Sequence, residues 1–347
     1  DLSFRIQISP LDCTGCEVCV NVCPGRKGIK ALQMVPIGEA IEKNEAVNAD
    51  YLFNHVTYKD NLLAKNTVKG SQFAKPLFEF HGACPGCGEV SYIKLTTQLF
   101  GERMIIANAT GCSSIYSGSY PSTPYTTTDK GRGPVWANSL FEDNAEFGFG
   151  MRIAGETMRD RIQTIMVDNY DAAEPKLQEL FTRWLDNRSS GIITQEIYED
   201  LVKEIKNSFN KDVKVILELK DHIIKRSQWI FGGDGWAYDI GYGGLDHVIA
   251  NNEDVNIMVL DTEVYSNTGG QSSKSSQTGS VAKFTASGKP GKKKDLAALA
   301  MSYGHVYVAA VSSGYSQAQL LKALIEAENY PGPALIICYS PCIAHGI

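Results

Sequence analysis

The chain has 347 residues, 43% of them hydrophobic, and a formal net charge of −6. This length predicts two or three domains with an ample buried core. The acidic balance gives no reason to expect nucleic acid or an anionic membrane as a partner, and no apolar run approaches the roughly 20 residues that span a bilayer. Because the sequence starts at Asp1 without an export signal, we expect a cytoplasmic chain that is part of a longer product.

Nine cysteines occur in spacings that are typical of metal or cluster ligands. An odd number in tight CxxC pairs, without an export signal, argues against disulfides. The first four follow the bacterial ferredoxin pattern CxxCxxCxxxCP, and they are Cys13, Cys16, Cys19 and Cys23. In that pattern the first three thiolates bind one [4Fe–4S] cluster and the fourth binds its neighbour. Because the chain has no second run, we expect the missing ligands upstream or in another chain. A zinc site is the less favoured alternative.

These spacings and the surrounding composition predict two domains. Residues 1–35 are predicted to be part of a ferredoxin-like cluster domain, and residues 36–75 an irregular connector. We expect residues 76–347 to form an α/β domain with a mainly parallel sheet flanked by helices. Within it, residues 150–227 are charged and periodic, which predicts three or four surface helices inserted between strands.

A second group of cysteines opens the α/β domain. Cys84 and Cys87 form a Cys-Pro-Gly-Cys loop ahead of a predicted helix. Residues 104–109 predict a buried parallel strand, and Cys112 lies in the loop that follows it. We therefore expect Cys112 to reach the same edge of the sheet as the first two thiols.

A fourth thiol near the end of the chain completes this group. Cys342 follows a predicted apolar strand over residues 334–337, and it is the candidate for the last ligand of a [4Fe–4S] cluster. A tetrahedral zinc site built from the same four thiolates is the alternative. Cys338 lies within the strand itself, and we expect it to fill the core.

A βαβ unit is predicted between Gln228 and Gln271. Two apolar runs flank a segment with helical spacing, and an acidic residue follows each run. The turn Gly233-Asp234-Gly235 comes after the first run, and Asp261 opens the loop after the second. Because parallel strands end at one edge of a sheet, hard oxygen donors should meet there. Such donors suit Mg²⁺ that shares its ligands with a diphosphate.

The two loops of this unit resemble the diphosphate-binding motif of thiamine diphosphate enzymes. The second loop ends in Asn267-Thr268-Gly269-Gly270-Gln271, and the pair is very similar to that of the pyruvate:ferredoxin (flavodoxin) oxidoreductases, in their C-terminal portion. The resemblance implies that Mg²⁺ is held by Asp234, Thr262 and the backbone carbonyl of Val264. Many other thiamine diphosphate enzymes have Asn where Thr262 stands, which favours the oxidoreductase branch.

The same resemblance implies further site residues. Asn267 is expected near the thiazolium as a catalytic residue, and Gly233, Gly235 and Cys112 are expected to contact the cofactor. The proximal [4Fe–4S] cluster of the family takes its ligands from positions that match Cys84, Cys87, Cys112 and Cys342. With the ferredoxin-type clusters, the complete enzyme is expected to hold three [4Fe–4S] clusters.

The activity implied by the resemblance is the oxidative decarboxylation of pyruvate with coenzyme A, which gives acetyl-CoA and CO₂. Electrons would pass through the clusters to ferredoxin or flavodoxin, in a homodimer completed by the remaining N-terminal part of the polypeptide or a partner chain. Another 2-oxoacid:ferredoxin oxidoreductase, a non-oxidative thiamine diphosphate lyase and a simple electron-transfer module are the alternatives. The lysines at 289 and 292–294 indicate either a solvated loop, which is favoured, or a docking patch for an acidic partner.

Overall fold

Six parallel strands form the central sheet. The computed structural model describes residues 3–118 and 122–345. The strands are, in chain order, β1 Met104–Ala109, β2 Val135–Ser139, β3 Ser227–Gly233, β4 Asn256–Asp261, β5 Val264–Tyr265, β6 Gln271–Ser272, β7 Tyr307–Val311 and β8 Ala334–Tyr339. The sheet runs in the order β2-β1-β3-β4-β8-β7, and each neighbouring pair is parallel. Strands β5 and β6 form a separate antiparallel pair. The predicted mainly parallel α/β fold is confirmed.

Helices flank the sheet and make up most of the segments around it. The α-helices are α1 Val18–Val22, α2 Ile37–Glu42, α3 Glu45–His55, α4 Val68–Ser71, α5 Val90–Phe100, α6 Cys112–Gly118, α7 Asn144–Asp168, α8 Pro175–Asp186, α9 Gly191–Glu196, α10 Tyr198–Asn207, α11 Lys211–Lys214, α12 Tyr242–Ala250, α13 Leu296–Met301 and α14 Gln317–Asn329. A π-helix covers Gly235–Ile240, and 3₁₀ turns cover Gly101–Arg103 and Val215–His222. Within the described ranges, no helix combines the length and the apolar character needed to cross a membrane.

The central strands are buried on both faces because helices cover both sides of the sheet. On β3, Trp229 and Phe231 belong to one hydrophobic cluster, whereas Ile230 between them belongs to the other. The same alternation occurs on β4, where Met258 and Val259 face opposite clusters. Strands of this kind read as continuous apolar runs rather than alternating ones, which is why the sequence revealed them.

The strand register places the loops of the predicted βαβ unit side by side. Gly233 on β3 is level with Leu260 on β4, so Asp234 and Asp261 are the next residues at the same edge. Asp261 is in turn level with Tyr339, the last residue of β8. The loops that carry Asp234, Asp261 and Cys342 therefore leave the sheet from one edge.

The segment between β2 and β3 forms a hydrophobic core of its own. Five α-helices, α7 to α11, occupy the segment where three or four surface helices were expected, and the first begins at Asn144, ahead of the predicted start at residue 150. Trp184 and Phe181 are fully buried among these helices. The first turns of α7 also pack on the sheet, since a Cβ at Gly148 would lie 2.5 Å from Ile230 Cγ1. These helices are thus a packed subdomain attached to the sheet through α7.

The segment expected to be an irregular connector contains helices. Helix α2 ends at Glu42, and Asn44, at φ 58°, is the N-cap residue of α3. Of the eleven residues of α3, Ala49 is buried. The apolar positions are too sparse to show a helical period, so the pattern pointed to a loop where local propensity forms short helices. The predicted domain boundaries at 35 and 75 stay predictions.

Candidate functional site

A narrow cleft lies at the carboxyl edge of the sheet, between the ends of β1, β3 and β4. The residues that line it are Glu89, Thr110, Gly111, Cys112, Ser113, Phe141, Gly233, Asp234, Gly235, Val264, Tyr265, Ser266, Asn267 and Thr268. It brings together the cofactor-contacting residues expected from the sequence, apart from Thr262, whose hydroxyl donates a hydrogen bond to Asp234. The free volume is about 30 Å³, which is too small for a diphosphate unless lining side chains move.

Asp234 is the buried carboxylate of this cleft. It directly precedes the π-helix, and the side chain is 1% exposed. Oδ1 accepts hydrogen bonds from the Thr262 hydroxyl at 2.9 Å and the Thr262 amide at 3.3 Å, and Oδ2 accepts one from the Ser273 hydroxyl at 2.5 Å. Burial, followed by the charge of Asp261, raises the pKa of Asp234 to about 7. Such a carboxylate favours a cation as partner.

The Thr262 hydroxyl lies between two other oxygen atoms of the predicted metal site. Thr262 Oγ1 lies 2.9 Å from Asp234 Oδ1 and 2.9 Å from the carbonyl oxygen of Val264. A carboxylate, a hydroxyl and a backbone carbonyl are the hard donors that Mg²⁺ takes in proteins, with a diphosphate filling further positions. The residues expected to hold the metal therefore meet at one point, and their chemistry fits the ion.

The second buried acid at this edge is already compensated. Asp261 Oδ2 accepts from Lys293 Nζ at 2.7 Å and from the Tyr238 hydroxyl at 3.1 Å, while Oδ1 accepts from the Ser275 hydroxyl at 2.5 Å. The amide of Glu263 adds a fourth hydrogen bond at 3.1 Å. Four donors fill the lone pairs of Asp261, which sets it apart from Asp234 as a metal ligand.

Three of the four lysines of the following loop make hydrogen bonds within the protein. Lys293 pairs with Asp261 and, at 2.8 Å, with Glu263. Lys289 Nζ donates to the carbonyls of Ser273, Lys274 and Ser276 within 3.1 Å. Lys294 donates to the carbonyl of Tyr238 at 3.0 Å. A solvated loop and a docking patch for an acidic partner both stay predictions for these lysines.

The glycines near Asp234 allow close packing within the protein. A Cβ at Gly235 would lie 2.4 Å from the ring of Tyr265, so this position admits no larger residue while Tyr265 closes the cleft. Gly269 and Gly270 have φ of 114° and 89°, and they turn the chain after Asn267. Asn267 itself is exposed at the mouth of the cleft. This places its amide where an incoming cofactor would meet it.

The second group of cysteines lies beside the same cleft. Cys112 lines it directly, and burial, then the charge of Glu89, raises the pKa of its thiol to about 12, with smaller contributions from Cys87 and Cys342. The amide of Cys87 donates to the carbonyl of Cys84 at 3.0 Å. Among residues 3–118 and 122–345, no three His, Cys, Asp or Glu side chains form a metal-binding group. The four thiols are thus neighbours without being arranged as a ligand shell.

The ferredoxin-type run packs against this second group. Cys13, Cys16 and Cys19 are exposed, and Cys23 is half-buried. At Gly86, between the two cysteines of the Cys-Pro-Gly-Cys loop, a Cβ would lie 3.9 Å from Cys16 Cβ and 3.9 Å from Ile343 Cδ1. The two cysteine loops and the segment after Cys342 therefore touch. Cys338 is fully buried in β8, so its predicted place in the core is confirmed.

Comparison with known proteins shows which proteins this chain is similar to. Residues 213–338 match the family described as thiamine pyrophosphate enzyme, C-terminal TPP binding domain. Pyruvate:ferredoxin oxidoreductase of Moorella thermoacetica is 55% identical over 355 residues, which cover 100% of this chain and 30% of that protein. The chain is homologous to a part of the pyruvate:ferredoxin and pyruvate:flavodoxin oxidoreductases. The resemblance seen in the sequence is confirmed.

This chain also covers only part of the length of its other relatives. Pyruvate-flavodoxin oxidoreductase of Klebsiella pneumoniae is 52% identical over 352 residues, 99% of this chain and 29% of that protein. The protein named pyruvate dehydrogenase (NADP+) of Cryptosporidium parvum is 49% identical over 384 residues, 99% of this chain and 19% of that protein. The solved 2-oxoglutarate:ferredoxin oxidoreductase of Magnetococcus marinus has a TM-score of 0.46 and 17% identity, covering 76% of this chain and 65% of that chain. The chain therefore spans about 30% of the length of the first two relatives.

Glu89 is a cleft residue that the sequence reasoning missed. It is 3% exposed, and Oε2 accepts a hydrogen bond from the Tyr116 hydroxyl at 2.8 Å. Burial raises the pKa of its carboxyl to about 7. The available signal was its position two residues after Cys87, directly before α5.

Lys293 can be tested as the counter-ion of Asp261. We expect Lys293→Met to lower the free energy of unfolding by about 3 kcal/mol, because it leaves a buried carboxylate unpaired. Urea unfolding followed by tryptophan fluorescence measures this. The control is Lys292→Met at an exposed neighbouring position, where a change within about 0.5 kcal/mol is expected. Equal small effects of both substitutions would contradict the assignment.

Glu89 can be tested through the pH dependence of stability. Its raised pKa means that the folded state holds the proton more tightly, so this contribution is present below pH 4.5 and is lost as pH rises through about 7. Glu89→Gln removes it. We expect the variant to gain stability relative to the parent between pH 4.5 and 8, on the order of 3 kcal/mol. The exposed Glu42→Gln serves as control, and parallel curves for the parent and Glu89→Gln would refute the prediction.

Proposed function

We propose that this chain is the diphosphate-binding and electron-relay part of a CoA-acetylating pyruvate:ferredoxin or pyruvate:flavodoxin oxidoreductase. The observation that carries the proposal is that Cys112 shares one cleft with Asp234. A thiamine site and a cluster site at the same sheet edge would allow direct electron transfer between them. The identity of about 50% to proteins of that name supports the assignment.

In this proposal Mg²⁺ is held by Asp234, Thr262 and the carbonyl of Val264. Bound thiamine diphosphate supplies the carbon nucleophile and the electron sink that decarboxylation of a 2-oxo acid requires. The protein's part is to fix the diphosphate at the cleft, with Gly233 and Gly235 beneath it. Asn267, at the mouth, is proposed to act near the thiazolium, and Cys112 to contact the cofactor from the cluster side.

The proposed cluster ligands divide into two sets. Cys84, Cys87, Cys112 and Cys342 would bind the proximal [4Fe–4S] cluster, which faces the cleft. Cys13, Cys16 and Cys19 would bind a second cluster and Cys23 a third, each completed by ligands outside this chain. The proximity of Cys16 to Gly86 supports a short path from the proximal cluster to the ferredoxin-type pair. Each cluster would carry one electron at a time.

Several components of the proposed reaction lie outside the cleft described above. Pyruvate, coenzyme A and ferredoxin or flavodoxin are the proposed partners, in a cytoplasmic homodimer that includes the rest of the polypeptide. Thiamine diphosphate enzymes bind the aminopyrimidine in a second domain, and we propose that this domain is contributed from outside the chain. A different 2-oxo acid as substrate is the second candidate.

The composition and turnover of the complete enzyme test this function. We expect thiamine by mass spectrometry, iron and acid-labile sulfide in equal amounts, and pyruvate- and CoA-dependent reduction of ferredoxin or flavodoxin. The isolated 347-residue chain is expected to form no acetyl-CoA. Zinc in place of iron would refute the cluster assignment, and CO₂ release without acceptor reduction would indicate a non-oxidative lyase. Clusters without thiamine would indicate an electron-transfer module, and faster turnover of 2-oxoglutarate would select the second candidate.

The role of Asp234 has its own test. We expect Asp234→Asn in the complete enzyme to lower turnover at least about 100-fold and to weaken Mg²⁺-dependent binding of thiamine diphosphate, because a charged metal ligand is lost. Binding is measured by calorimetry, and iron content should stay unchanged. Asp129→Asn, at a side chain that is 90% exposed, is the control. Normal cofactor binding by Asp234→Asn would exclude this residue as a metal ligand.

A further inference from the structure

Ser273 holds the oxygen of Asp234 that faces away from the proposed metal position. Its hydroxyl donates to Asp234 Oδ2 at 2.5 Å, whereas Oδ1 faces Thr262. Ser273 is 4% exposed and does not line the cleft. It can therefore act on a bound ion only through Asp234.

The loop around Ser273 fixes this hydroxyl in place. The amide of Ser273 donates to the Ser276 hydroxyl at 3.0 Å, and the amide of Ser275 donates to Ser273 Oγ at 3.1 Å. The carbonyl of Ser273 accepts from Lys289 Nζ at 2.9 Å. These hydrogen bonds hold the backbone of Ser273 and orient its side-chain oxygen. The hydroxyl proton therefore points toward Asp234.

We propose that Ser273 is a positioning residue for the magnesium site, which it serves by fixing the carboxylate plane of Asp234. A carboxylate that is free to rotate presents either oxygen, or both, to a metal. With Oδ2 held, Oδ1 stays beside Thr262 Oγ1 and the carbonyl of Val264. This inference rests on the proposed function of the cleft.

Ser275 offers a matched comparison within the same loop. It is fully buried, and its hydroxyl donates to a buried carboxylate at the same distance of 2.5 Å. That carboxylate is Asp261, which Lys293 compensates. Loss of the Ser275 hydroxyl therefore perturbs the loop and a neighbouring acid but leaves Asp234 held.

The experiment compares Ser273→Ala with Ser275→Ala in the complete enzyme. Thiamine diphosphate binding is titrated against Mg²⁺ by calorimetry. We expect Ser273→Ala to raise the half-saturating Mg²⁺ concentration about tenfold, with turnover recovering at high Mg²⁺, and Ser275→Ala to change it little. With Mn²⁺ as the probe, the electron paramagnetic resonance spectrum should change in Ser273→Ala and stay as in the parent in Ser275→Ala.

The outcomes distinguish a failure of this inference from a failure of the proposed function on which it rests. Equal shifts in both variants, or no shift in Ser273→Ala, would overturn the role of Ser273 while the parent enzyme still binds Mg²⁺ and thiamine diphosphate. A parent enzyme that binds the cofactor without Mg²⁺ would overturn the proposed site itself. If Ser273→Ala does not fold, Ser273→Cys keeps the side-chain size with a weaker donor. An intermediate Mg²⁺ requirement for it supports the role, and a parental one overturns it.

Discussion

The burial of two carboxylates side by side sets the main constraint on the carboxyl edge of this sheet. Asp234 and Asp261 are 1% and 2% exposed, and their charges repel in a site with little water. Burial of such a pair is costly unless each acid finds donors or a counter-ion. The two carboxylates are stabilised by different groups. Asp261 receives a lysine, whereas among the described residues Asp234 is held by hydroxyl and amide groups alone, and a divalent cation would complete its environment.

This constraint explains the long loop that follows β6. Its composition is that of a flexible linker, yet Ser273, Ser275 and Ser276 are buried. Two of these serines donate to the two aspartates, and Lys289 ties the loop together through three backbone carbonyls. The loop therefore supplies the polar groups that the two buried aspartates require.

The parallel topology explains why cysteines that are far apart in the sequence lie near the same edge of the sheet. Cys112 follows β1 and Cys342 follows β8, with β3 and β4 between those two strands. The two thiols are nevertheless close enough for Cys342 to contribute to the raised pKa of Cys112. Parallel strands end at one edge, so loops from separate parts of the chain collect there. The ferredoxin-type run approaches the Cys-Pro-Gly-Cys loop at Gly86, where a Cβ would lie 3.5 Å from Val18 Cγ2.

The sequence by itself determined the features that depend on local pattern. Continuous apolar runs identified the central strands β1, β3, β4 and β8 but not the edge strand β2, and the spacing of cysteines together with Gly233-Asp234-Gly235 and Asn267 identified the family. The tertiary structure alone decided which groups compensate which charges. Lys293 lies 32 residues from Asp261, and Ser273 lies 39 residues from Asp234. Pairings over such distances depend on strand register and loop packing, and no periodicity records them. Glu89 was overlooked for the same reason, because only the packed fold removes it from water.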